Sequence, residues 1–123
     1  MRDETKSWLA KANKDLGTAV FAMDSIDGPL PLTTGLHCQK SAEEFLKAYL
    51  QEMQIGFSDQ QSLGPLFDVC ISMDTDFESL RTEISQLEGY AIASRYPKES
   101  LEFRKNAIAT AARVKEFIVN KLG

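Results

Sequence analysis

Apolar residues recur at intervals of three and four in five segments of this chain, and this spacing constrains the fold more than any other feature. In the first segment the pattern runs through Trp8, Ala12, Leu16, Ala19 and Met23. No segment shows the strict alternation of a half-buried strand. Ala and Leu (25 residues) also outnumber Val and Ile (11 residues), which agrees with helix formation. The sequence therefore predicts an all-α protein.

Breaker and capping residues divide the pattern into separate helices. The helices are predicted over residues 5–24, 33–54, 62–72, 75–94 and 100–122. Gly56 is the expected stop of the second helix, Ser62 is expected to cap the third, and Thr75–Glu78 has the pattern of a capping box for the fourth. We expect residues 1–123 to form a single domain, an up-and-down bundle of four long helices and one short helix.

Charge and composition exclude several classes of protein. The net charge of −4 argues against broad, non-specific nucleic-acid binding. No apolar run approaches the roughly 20 residues that span a membrane, and the charged N-terminus is unlike a signal peptide, so we expect no membrane association and a cytoplasmic location. Cys38 and Cys70 lie on inward stripes, which predicts buried free thiols. With a single His in the chain, we expect neither a metal site nor a cofactor.

Three segments, in this order, resemble the HEPN family (higher eukaryotes and prokaryotes nucleotide-binding). Trp8–Ala19 is similar to the pattern W-x-x-x-A-x-x-D-L-x-x-A, and His37–Leu50 to H-x-Q-x-A-A/S-E-x-x-L-K-A-x-L. Leu87–Pro97 resembles L-x-x-Y-A-x-x-x-R-Y-P. The resemblance implies a HEPN-like helical bundle that often dimerises and binds nucleotides, with RNA cleavage in many members. It also implies a minimal nucleotidyltransferase as partner, the two forming a toxin–antitoxin-like system.

The nuclease members of the family carry an Arg and a His separated by four to six residues. His37 is the only histidine here, and only Arg2 precedes it, far outside that spacing. Arg95 is followed by no histidine. We therefore expect a non-catalytic nucleotide- or RNA-binding and partner module. Two alternatives are a metal-independent ribonuclease toxin that uses His37 with an Arg such as Arg95, and a purely structural dimerising protein.

The candidate ligand site combines the start of the second helix with the end of the fourth. The expected phosphate-binding and nucleotide-binding residues are His37, Lys40, Glu44, Lys47, Arg95 and Tyr96. Free N–H groups at the start of a helix favour an anion beside His37, and Lys40, Glu44 and Lys47 follow on what the spacing suggests is a solvated flank. Arg95 could hold a phosphate while Tyr96 stacks on a base. The structural alternative is that His37 caps its helix or packs on a neighbour, while Arg95 and Tyr96 cover the helix end.

A second packing surface is suggested by residues that do not fit the apolar stripes. Phe21 points away from the stripe of the first helix, and the second helix carries the small residues Ser41 and Ala48. We expect these three residues to contribute to a homodimer interface, although scattered apolar surface residues are common. Tyr90 is expected to close the core.

Overall fold

The computed structural model of the chain describes residues 1–23, 33–93 and 101–123, and within these ranges it contains helices and no strand. The helices are α1 (Asp3–Met23), α2 (Thr33–Glu52), α3 (Leu63–Met73), a 3-10 helix (Thr75–Leu80), α4 (Arg81–Ala93) and α5 (Leu101–Leu122). The all-α prediction is confirmed, and each predicted helix has its counterpart. None of the helices in these ranges is long and apolar enough to cross a membrane.

Helix α2 is the central element and packs against α1, α3, α4 and α5. Contacts between α1 and α2 pair the start of one helix with the end of the other: Thr5 contacts Glu52, and Asp15 contacts His37. Helices α4 and α5 pair in the same antiparallel way, since Glu83 contacts Arg113 and Tyr90 contacts Phe103. This arrangement is the predicted up-and-down bundle.

All the helices contribute buried side chains to one core, and an aromatic group within it lies where α2, α5 and the 3-10 helix meet. Phe77 of the 3-10 helix packs edge-on between Tyr49 and Phe117, with ring centroids 4.7 and 4.9 Å apart. Cys38 and Cys70 are fully buried and form no disulfide bond, as the sequence predicted. Burial raises the pKa of the Cys70 thiol to about 12, so this side chain is an unreactive part of the core.

The helix ends differ from the predicted ones because the capping groups come from other residues. Helix α2 ends in a Schellman motif in which Gln54 adopts a left-handed φ of 59°, so Gly56 is not the stop. Ser62 occupies the N-cap position of α3 as predicted, but its side chain makes no cap hydrogen bond; instead Glu43 of α2 accepts one from the backbone of Leu63. The capping-box prediction is also wrong, since Asp74 caps a 3-10 helix that precedes α4.

Candidate functional site

A short hydrogen-bonded contact between Asp15 of α1 and His37 of α2 lies where these two helices face each other. Nδ1 of His37 is 2.7 Å from Oδ1 of Asp15, and the two side chains are 25% and 17% exposed. Asp15 reaches this position because it shares the helix face of Ala12 and Ala19, whose side chains are fully buried. The sequence therefore places a carboxylate on an otherwise apolar contact between two helices.

The protonation state of Asp15 fixes the tautomer of His37. Burial favours the neutral form of Asp15, but hydrogen bonds with Glu44 and His37 outweigh burial and lower the pKa of this carboxyl. Asp15 is therefore ionised near neutral pH, and the proton of the short contact is on Nδ1 of His37. Nε2, the other ring nitrogen, is bonded to no residue in the described part of the chain. The imidazole is thus oriented through Nδ1, and Nε2 takes no part in that contact.

Glu44 lies two turns after His37 on α2, and its pKa is shifted upward, opposite to the shift of Asp15. Burial, the hydrogen bond with Asp15 and the charge of Asp15 together raise the pKa of Glu44 to about 8, although Lys40 and Lys47 counteract this. Near neutral pH Glu44 therefore keeps its proton and donates a hydrogen bond to Asp15. Its Oε1 is buried and meets no hydrogen-bond partner among the described residues.

We refer to Asp15, His37, Lys40 and Glu44 as the His37 cluster. The cluster contains one ionised carboxylate, one protonated carboxyl, an imidazole and the exposed ammonium of Lys40. Its chemistry is that of hydrogen bonding and proton exchange with a polar ligand. In the described ranges, no group of three His, Cys, Asp or Glu side chains could hold a metal ion.

Lys47, one of the predicted ligand residues, lies elsewhere. Its side chain is buried, its Nζ donates to the backbone oxygen of Asp59 at 2.9 Å, and it lies 5.0 Å from the ring centroid of Trp8. The expectation that Lys47 lies on a solvated flank is therefore wrong, because this ammonium anchors the segment after α2. Arg95 and Tyr96 lie outside the described residues.

Two of the three expected dimer-interface residues are buried inside this chain. Ser41 is fully buried and its hydroxyl donates to the backbone oxygen of Ala12 at 2.8 Å; Ala48 is also fully buried. Neither side chain is accessible to a second subunit, because both are enclosed by this chain's own packing, which corrects that part of the prediction. Phe21 is 76% exposed and stays a predicted interface residue. Tyr90 packs against the core as expected.

Asp15 is the site residue that the sequence analysis did not select. Its signal was present: Asp15 lies beside Leu16 on the apolar stripe, three residues after Ala12, and it is the Asp of the first HEPN-like pattern. Its partner, however, is 22 residues away in sequence, and only the fold brings the two together.

Residues 5–122 match the family model of the HEPN domain, and the chain therefore belongs to the HEPN domain family. As a HEPN domain it is a nucleotide- or RNA-related module, and HEPN domains often dimerise. Neither a curated protein nor a solved structure matches the chain significantly.

Proposed function

We propose that this chain is a non-catalytic HEPN module that binds a nucleotide or an RNA phosphate through His37 and Lys40. Arg95 and Tyr96 would complete the site from the segment after α4. The module would act as a homodimer with a minimal nucleotidyltransferase as its partner, in a toxin–antitoxin-like pair.

The observation that carries this proposal is the orientation of His37 by an ionised Asp15. The fixed imidazole offers Nε2 to a ligand, and Lys40 adds a positive charge one turn further along α2. Glu44 is close enough to repel a phosphate, but it is protonated below about pH 8. The cluster therefore carries less negative charge at neutral pH than its residue types suggest, which supports anion binding.

The absence of an Arg four to six residues before His37 supports a binding role over catalysis. Cleavage of RNA places negative charge on a phosphate in the transition state, and a fixed guanidinium is the group that stabilises it. Two of the four described arginines are held elsewhere, since Arg81 is paired with Glu78 and Arg113 is paired with Glu83. Neither is in contact with His37.

Because His37 is the only histidine, its ring signals in a proton–carbon NMR spectrum report on this site alone. We expect AMP, and an RNA oligonucleotide more strongly, to shift the His37 ring signals, and we expect Lys40→Ala to weaken binding. Lys14→Ala, which removes an exposed charge from α1, is the matched control and should change nothing. Ring signals that stay unchanged at saturating nucleotide and RNA would refute the ligand part of the proposal.

A ribonuclease is the second candidate, and the short His37–Asp15 contact favours it. A carboxylate that holds Nδ1 of a histidine is how many enzymes orient a general base. RNA cleavage without added metal should be compared for the wild type, His37→Ala and Arg95→Ala. Cleavage that disappears in both variants would establish the enzyme, whereas no cleavage by folded wild type supports the binding module.

The partner is tested separately from the ligand. Co-expression with the product of a neighbouring nucleotidyltransferase gene, where one exists, should yield a complex that survives purification. Sedimentation of the wild type and of Phe21→Lys tests the homodimer, because a lysine at a subunit contact would have to be desolvated. Loss of the dimer in the variant supports the role of Phe21, and an unchanged dimer refutes it.

A further inference from the structure

A groove of about 590 Å³ runs along the outer side of the contact between α4 and α5. Its size lies within the usual range for small-ligand sites, roughly 300–1,000 Å³. We call it the α4–α5 groove and define it by the residues Gln86, Tyr90, Phe103, Asn106, Thr110 and Arg113. None of these residues belongs to the His37 cluster.

One end of the groove combines an aromatic wall with two amide side chains. Tyr90 and Phe103 pack edge to face with their ring centroids 4.8 Å apart. Gln86 and Asn106 are exposed beside them, and each amide carries donors and an acceptor, although Oε1 of Gln86 already accepts a long hydrogen bond (3.4 Å) from the hydroxyl of Thr110. A nucleobase presents the complementary features, since it has a flat face and an edge of mixed donors and acceptors.

The other end of the groove holds a fixed guanidinium. Nε of Arg113 lies 3.3 Å from Glu83, and its Nη2 donates to the hydroxyl of Thr110 at 3.2 Å. Three of the five N–H groups of Arg113 are not engaged in these two contacts. Asn106 and Arg113 are seven residues apart on α5, so about 10 Å of helix separates the amide from the guanidinium.

From this arrangement we infer that the α4–α5 groove binds a nucleoside monophosphate. The base lies against Tyr90 with its edge on the amides of Asn106 and Gln86, and the phosphate lies on Arg113. Glu83 neutralises part of the positive charge of Arg113, so a phosphate alone binds poorly and the base is required. This inference does not rest on the His37 cluster, and either proposal can fail without the other.

The test is a titration of isotope-labelled protein with the four common nucleoside monophosphates, followed by NMR of the side-chain amides. At least one monophosphate should shift the amide signals of Asn106 and Gln86. Its Kd should rise about tenfold in Asn106→Ala, which is the loss expected for one base contact. A similar rise is expected in Arg113→Lys, because lysine keeps the positive charge but lacks the planar set of N–H groups. Asn120→Ala and Lys105→Ala, both exposed on α5, are the matched controls and should leave the Kd unchanged.

Three results would overturn the inference. The groove signals could stay unchanged with every monophosphate at millimolar concentration, even if the His37 ring signals shift. Inorganic phosphate could bind as tightly as the monophosphates, which would make Arg113 a simple anion contact. The control variants could weaken binding as much as Asn106→Ala and Arg113→Lys do. All four substituted side chains are exposed, so each variant should keep the fold. Circular dichroism before the titration verifies this.

Discussion

Helices α1 and α2 meet through small buried residues, whereas α4 and α5 meet at the surface through polar and aromatic pairs. In the first contact Ala12, Ala19 and Ser41 are fully buried, and the hydroxyl of Ser41 reaches across to the backbone of Ala12. In the second, Arg113 contacts Glu83, and Tyr90 contacts Phe103 beside an open groove. Both contacts join neighbouring antiparallel helices, so the difference between them comes from the residues and not from the topology.

Tightly packed small residues and exposed polar groups are therefore concentrated in different parts of this fold. Close packing of small residues excludes water and leaves little freedom for substitution. Ion pairs that keep contact with water contribute only about 0–1 kcal/mol, and Arg113 remains half-exposed beside the more enclosed Glu83, so the α4–α5 contact can carry polar groups with little effect on folding. The His37 cluster is the exception, because it places ionisable groups inside the tightly packed contact.

The largest effect is expected from overpacking the first contact. Ser41→Leu adds volume where no space exists and should lower the free energy of unfolding by about 3 kcal/mol. Ser85→Leu is the matched change at an exposed position beside the α4–α5 groove and should stay within about 0.5 kcal/mol. Urea denaturation measures both, and equal losses in the two variants would contradict the comparison.

Protonation of Glu44 should make stability depend on pH. Its pKa is raised from 4.5 to about 8, so the folded protein holds a proton that the unfolded chain releases above pH 4.5. The free energy of unfolding should therefore fall as pH rises from about 4.5 to 8, by about 1–2 kcal/mol once solvent screening is allowed for. Asp15, with its lowered pKa, acts in the opposite sense and only at lower pH.

Glu44→Gln is the variant that isolates this effect, because an amide resembles the protonated carboxyl. Urea denaturation at intervals between pH 4.5 and 8.5 should show the fall in the wild type and a clearly smaller one in the variant, where Glu43, whose pKa burial also raises, still contributes. The same slope in both proteins would mean that another group holds the proton.

Removing one hydroxyl from each contact gives a smaller and sharper comparison. Ser41→Ala loses a buried hydrogen bond between two helices and should cost about 1 kcal/mol. Thr110→Val keeps the side-chain volume and mainly loses the hydrogen bond that the Thr110 hydroxyl donates to the carbonyl of Asn106 in the same helix. The free energy of unfolding should therefore change by less than about 0.5 kcal/mol. The midpoints of urea denaturation distinguish these outcomes. A larger loss of stability in Thr110→Val than in Ser41→Ala would contradict the proposed difference between the two contacts.

The smallest effect is expected for Arg113→Ala, which breaks an ion pair in which the arginine is half-exposed. The free energy of unfolding should change by less than about 0.5 kcal/mol. A loss above about 1 kcal/mol would show that Arg113 holds α4 and α5 together, and it would then be a structural residue. Thermal denaturation followed by circular dichroism is sufficient for this measurement.

Most of the fold could be predicted from the sequence because the information is local. Apolar spacing and proline positions predicted five helical segments, and their boundaries lie within about two residues of the observed ones except at the start of the fourth, where a 3-10 helix precedes α4. The prediction was wrong where a cap came from outside the local motif. Glu43 caps α3 from another helix, and Gln54 ends α2 in a conformation that is more often adopted by glycine.

The site was less predictable because its geometry depends on which helices meet. His37 and Lys40 were selected from their position at the start of α2, and both belong to the cluster. Periodicity alone could not show that Ser41, Ala48 and Lys47 are enclosed by neighbouring segments, since α2 is surrounded by four helices. The pairing of Asp15 with His37 is a long-range contact that no spacing within one helix reveals.

The two buried cysteines make the opening of this bundle directly measurable. Cys38 lies on α2 and Cys70 on α3, and a thiol reagent can reach neither until the surrounding helices separate. The rate of alkylation under native conditions therefore reports how often each region opens. One thiol is in the central helix and the other is in the short one, so both alkylation rates can be compared in a single reaction. Equal rates mean that the bundle opens as one unit, and different rates mean that the helices open separately.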